Sequence, residues 1–102
     1  MQSYPAGLPA SSAGKLFFHI QKAAETKGMT VSAQSNPQGP RIHVKAPADG
    51  WVYYFVNNNE IWMAVDPQGG DTEAVEARKS RLKTLGDELL ADAKARRKEA
   101  GD

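Results

Sequence analysis

Two periodicities divide the chain. Ala13, Leu16, Phe17, Ile20, Ala23 and Ala24 recur at helical spacing and form one stripe, with Lys15, His19, Lys22 and Glu25 facing away. Ser11 or Ser12 supplies the cap, because a serine oxygen accepts the free N–H groups of a first turn. Gly28 supplies the stop, because glycine enters the left-handed region without a Cβ penalty. The spacing therefore predicts a helix ending just before Gly28.

From Met29 to Asp66 the period drops to two. Met29, Val31 and Ala33 alternate with Thr30, Ser32 and Gln34, and Ile42, Val44 and Ala46 alternate with Arg41, His43 and Lys45. Trp51–Val56 is apolar throughout, and Ile61–Val65 follows it after Asn57-Asn58-Asn59-Glu60. Asn36-Pro37-Gln38-Gly39 and Pro47-Ala48-Asp49-Gly50 separate the earlier runs with turn-forming residues. Four short strands joined by hairpin-length loops predict an antiparallel meander.

Asp66-Pro67-Gln68-Gly69-Gly70 ends the sheet, and Asp71 or Thr72 opens a second helix. Acidic residues (Asp71, Glu73, Glu76) gather at its start and basic ones (Lys94, Arg96, Arg97, Lys98) at its end, complementing the helix dipole. Val75, Leu82, Leu85 and Leu89 form a narrow apolar stripe, flanked by Leu90 and Ala93. Gly86-Asp87 falls mid-helix, where glycine costs about 1 kcal/mol relative to alanine, so a kink or a split is expected there. The seven-residue spacing of Val75, Leu82 and Leu89 also suits a coiled-coil dimer. Arg78 and Asp92 occupy the alternate seam positions, which favours packing on the chain's own sheet.

The reading is one α+β domain over residues 11–98, in the order α-β-β-β-β-α. A flexible lead-in (1–10) rich in proline and small residues precedes it, and a frayed end (99–102) follows.

Turn chemistry sets which side chains share a face. Treating Asp49-Gly50 as the close of a type I turn with a glycine bulge pairs Ala46 with Val52, Val44 with Tyr54 and Ile42 with Val56. Lys45 then lies beside Tyr53 and His43 beside Phe55. A two-residue loop at Ala48-Asp49 is the alternative, and it would move Ile42 and Val44 beside Phe55 and Tyr53. At the next turn Asn58-Asn59 can take the positive φ values of a type I′ turn, which pairs Val56 with Ile61, Tyr54 with Met63 and Val52 with Val65. One face then carries Ile42, Val44, Val52, Tyr54, Ile61, Met63 and Val65, and forms the core. The other carries Arg41, His43, Lys45, Trp51, Tyr53, Phe55 and Trp62.

Composition narrows the classes of function. The chain has 102 residues, no cysteine, and 13 basic against 12 acidic side chains. Without cysteine there is no disulfide framework, thiolate metal site or thiol nucleophile. A net charge of +1 gives no bulk attraction to nucleic acid or to an acidic membrane. No run is long and apolar enough for a signal or a span, so a cytoplasmic protein is expected. His19 and His43 are the only histidines, neither with a ligand partner at metal spacing, and both read as surface residues. No nucleotide-binding glycine loop, zinc-protease motif or nucleophile elbow occurs, and no carboxylate pair converges. Catalytic residues, metal ligands and cofactors are therefore expected to be none.

The aromatic and basic face is the unusual feature. A helix lying across it would give the rings a purely structural role, with one helix on each side of the sheet. Left open, it suits a protein partner, since Trp, Tyr and Arg dominate interface hot spots. It also suits single-stranded nucleic acid, with bases stacked on the rings and Arg41 and Lys45 on phosphates. Two cations are few for a phosphate backbone, so the protein partner leads. The expected function is a small non-enzymatic regulator or inhibitor docking through Arg41, His43, Lys45, Trp51, Tyr53, Phe55 and Trp62. Single-strand binding and a structural homodimer are the alternatives.

Overall fold

The computed structural model describes residues 2–101. Met1 and Asp102, the outermost residues of the expected lead-in and frayed end, lie outside the described residues. The elements run β1 (Gln2–Pro9), a 3₁₀ turn (Ala10–Ser12), α1 (Ala13–Thr26), β2 (Thr30–Asn36), β3 (Gly39–Ala46), β4 (Gly50–Asn57), β5 (Glu60–Pro67) and α2 (Thr72–Ala100). The strands form one antiparallel sheet in the order β1-β5-β4-β3-β2.

The sheet has five strands, where the sequence pattern predicts four. Residues expected as a lead-in form β1, which pairs with β5 through Gln2–Val65, Ser3–Ala64, Tyr4–Met63 and Pro5–Trp62. Tyr4, Ala6 and Leu8 rest against the core while Pro5, Gly7 and Pro9 between them are exposed. Prolines are tolerated because an edge strand needs donors on one side only.

The two asparagine-turn residues behave as expected: Asn58 and Asn59 have φ of 53° and 62°, and β4 and β5 pair in the expected register. The β3–β4 register differs from the expected one by two residues. Ala46 pairs with Gly50, Val44 with Val52 and Ile42 with Tyr54. The three-residue loop is Pro47-Ala48-Asp49, with Ala48 in the left-handed region at φ 70° and the Asp49 amide donating to the Ala46 carbonyl at 3.2 Å. Gly50 is needed for a different reason than a left-handed loop position. Its φ is 136°, and a Cβ there would run into the Asp66 carbonyl where β5 passes. A shift of two preserves the parity of every side chain, so the two faces are composed as expected.

Both helices pack on the same face. The core joins Leu16, Phe17 and Ile20 of α1 and Leu82, Leu89, Leu90 and Ala93 of α2 to Ile42, Val44, Val52, Tyr54, Ile61, Met63 and Val65 of the sheet. Burying each such large aliphatic or aromatic side chain is worth about 1.5–3 kcal/mol, which makes this layer the main source of stability. α1 starts without a serine side-chain cap, because the 3₁₀ turn leads the chain directly into it. His19, expected on the helix surface, is buried.

α2 is one continuous helix of 29 residues, neither kinked enough to break nor split at Gly86. Asp71 caps it by accepting from the Ala74 amide at 2.8 Å. Arg78 donates to the Gly69 carbonyl at 2.7 Å, and Arg81 grips Asp49 with two nitrogens, tying the helix to the β3–β4 loop. Gly86 is buried, and a Cβ there would strike Met63 and crowd Val52. The glycine is thus a contact point with the sheet. Among the described residues, no helix is long and apolar enough to cross a membrane.

Candidate interaction surface

The face turned away from the helices is organised in three ranks running across β3, β4 and β5. Cross-strand pairing aligns Lys45 with Trp51 and Asp66, His43 with Tyr53 and Ala64, and Arg41 with Phe55 and Trp62. All seven side chains expected on this face are there. None of them belongs to the core beneath the helices, and neither helix covers them. Lys45 is exposed and the other six are half-buried by one another.

The shifted register changes the neighbours within the face. Lys45 lies beside Trp51 and His43 beside Tyr53, in place of the expected Lys45–Tyr53 and His43–Phe55. The cause is the position of the three-residue loop, which spans 47–49 in place of the expected 48–50 and so moves the β4 partner of each β3 residue by two.

Each rank couples a nitrogen-bearing side chain to an aromatic ring. The Lys45 ammonium is 5.8 Å from the Trp51 ring centre, and the Arg41 guanidinium carbon is 5.5 Å from that of Phe55. Contacts of this kind contribute about 0.5–1 kcal/mol at exposed sites. His43 meets Tyr53 edge to face, with ring centres 4.6 Å apart at 77°. Along β4, Trp51 and Tyr53 lie nearly parallel, 6° apart in plane and 6.2 Å between centres.

Asp66 closes the first rank. Sequence reasoning left it out of the face, although its parity with Trp62 on β5 was the available signal. The Tyr53 hydroxyl donates to Asp66 Oδ2 at 3.3 Å. Burial raises the Tyr53 phenol above its ordinary value, the Asp66 charge adds to the rise, and the group is a neutral donor at pH 7. His43 moves the other way. Partial burial lowers it and the nearby Arg41 charge lowers it further, so it is a neutral imidazole at pH 7.

Three nitrogens on this face are shielded from solvent without a hydrogen-bond partner among the described residues: Arg41 Nε, His43 Nε2 and Trp62 Nε1. A buried polar atom left without a partner costs about 1–3 kcal/mol, so these three nitrogens make the face a costly one to hold dry. Beside Arg41 and Phe55 the face ends in an open depression of about 240 Å³, floored by Gly39, Pro40 and Val56. Among the described residues, no three His, Asp or Glu side chains gather as metal ligands would.

No family model matches the chain, and neither a curated protein nor a solved structure does.

Proposed function

We propose that the protein is a small non-enzymatic binding module that docks on a protein partner through the β3–β4–β5 face. The observation that carries this reading is the uncovered set of Trp51, Tyr53, Phe55 and Trp62, interleaved with Arg41, His43 and Lys45. Contiguous apolar patches of this kind are uncommon on monomeric surfaces, and Trp, Tyr and Arg are the residues on which interface energy concentrates. The cross-strand ring contacts already hold the side chains in place, which lowers the ordering cost that binding would otherwise impose.

The cation–ring pairings favour a protein over single-stranded nucleic acid. Arg41 and Lys45 lie against Phe55 and Trp51, so the charges that would meet phosphates are engaged with the rings on which bases would stack. Asp66 at the margin adds repulsion toward a polyanion.

The test is a comparison of wild type with Trp62→Ala and Tyr53→Ala. Each variant should keep its circular dichroism spectrum while losing a partner retained by wild type, with a cost of about 2 kcal/mol or roughly thirtyfold in Kd for a hot-spot residue. Photo-crosslinkers at positions 53 and 62 should capture that partner, and one at exposed Glu73 should not. Variants that bind normally would refute the reading. So would tryptophan quenching by oligonucleotides that falls steeply with salt, which would assign the face to nucleic acid.

A further inference from the structure

The two edges of the sheet are built differently. On the β1 edge the register shifts between Pro5 and Pro9, and Pro5 lies opposite Trp62. The Trp62 backbone is engaged with β4, so the Pro5 nitrogen, which has no hydrogen, faces outward. Such an edge resists strand addition.

The β2 edge has none of these guards. It pairs with β3 in unbroken register from Thr30 to Asn36, and Thr30–Ser35 contains neither proline nor charge. The two-residue loop makes Asn36–Gly39 a hydrogen-bonded pair. By alternation Gln34, Ser32 and Thr30 bond inward to β3, while Val31, Ala33 and Ser35 present their N–H and C=O groups outward. Beside this edge stands Phe18, 54% exposed, the one large hydrophobic side chain among the described residues left so open. It borders a largely apolar groove of about 220 Å³ between α1 and β2, whose floor includes Gly14, Ala33 and Ile42.

We infer that two copies of the chain associate through β2, pairing antiparallel about a twofold axis at Ala33. The self-pairing is consistent at each level. Ala33 meets Ala33 and Val31 meets Ser35 of the second copy, so outward-facing backbone groups meet outward-facing ones. With no charge on the strand, identical edges meet without repulsion. The small side chains at the centre leave room on the helix side for both Phe18 rings. An axis normal to the sheet keeps the aromatic faces of both copies on one side, giving a partner with repeated sites two linked surfaces. The inference is independent of what the aromatic face binds.

Sedimentation equilibrium of the purified protein over a wide concentration range tests it. Wild type should show a twofold rise in mass with concentration. Ala33→Pro removes one outward N–H without touching the β3 ladder, and Ala33→Lys places like charges together at the axis; both should stay at monomer mass. The lysine variant decides the matter should the proline variant misfold, since Ala33 is exposed in the single chain. Gln2→Lys on the opposite edge and Trp62→Ala on the aromatic face should both keep the doubled mass, which separates this inference from the partner-binding one. Wild type that remains monomeric throughout, or an Ala33→Lys variant that still doubles, overturns it.

Discussion

The Tyr54 hydroxyl donates to the Gly86 main-chain carbonyl across the sheet–helix interface at 2.7 Å, both groups buried. Burial, with the Asp87 charge as a smaller contribution, pushes the Tyr54 phenol far above its ordinary value, so the proton stays in the bond at any physiological pH. Gly86 makes the bond possible by letting α2 approach the sheet at Met63 and Val52.

This contact fixes an order of mutational costs. Tyr54→Phe should lower unfolding free energy by about 1 kcal/mol, the net value of one hydrogen bond whose acceptor keeps its helical partner. Gly86→Ala should cost about 1–3 kcal/mol through overpacking, despite alanine's better helix propensity. Urea denaturation of the two variants checks both, and a stabilised Gly86→Ala would contradict the packing.

Two glycines with positive φ should respond unequally to alanine. Gly28, at φ 78°, has open space where a Cβ would go, so Gly28→Ala should cost only the left-handed strain of about 1–2 kcal/mol. Gly50, at φ 136°, faces the Asp66 and Pro67 backbone, which cannot move without disturbing the β4–β5 ladder. Gly50→Ala should therefore cost more than Gly28→Ala in thermal unfolding.

Both tryptophans should be open to a neutral quencher in the native protein. Trp51 and Trp62 lie on the face that neither helix covers. Acrylamide should quench both single-tryptophan variants, Trp62→Phe (reporting Trp51) more than Trp51→Phe, whose remaining indole has its Nε1 shielded from solvent. An indole wholly resistant to quencher in either would contradict the placement.

Stability should depend on His43 in mildly acidic solution. Its folded-state value lies below the ordinary 6.5, because burial and Arg41 disfavour the imidazolium. Below 6.5 the unfolded chain binds the proton first, so the stability that neutral His43 contributes above that pH is lost as pH falls, until the folded group protonates as well. Denaturation midpoints at pH 7.5 and pH 5 should differ less in His43→Gln than in wild type.

How far the chain could be read in advance depended on the kind of signal. Helix and strand periods placed α1, α2 and β2–β5, because burial on one side repeats at 3.6 or at 2. Face membership survived a mistaken β3–β4 register because parity is insensitive to a shift of two. β1 was hidden: Tyr4, Ala6 and Leu8 alternate, but the prolines and glycine between them carry the usual marks of an unstructured segment. Gly86 read as a helix breaker because the close approach it serves, to Met63 of β5 and Val52 of β4, is between segments distant in the chain.

By itself the sequence determined the side-chain alternation of β2–β5, the type I′ turn at Asn58-Asn59, and the gathering of Arg41, His43 and Lys45 with Trp51, Tyr53, Phe55 and Trp62. These follow from local alternation and turn geometry, which involve residues close along the chain. Only the tertiary structure decided that both helices occupy the same side, leaving the rings uncovered, that β1 guards one edge and that β2 leaves the other bare. Those outcomes depend on contacts between distant segments, where an apolar stripe says that it will be buried but not against which surface.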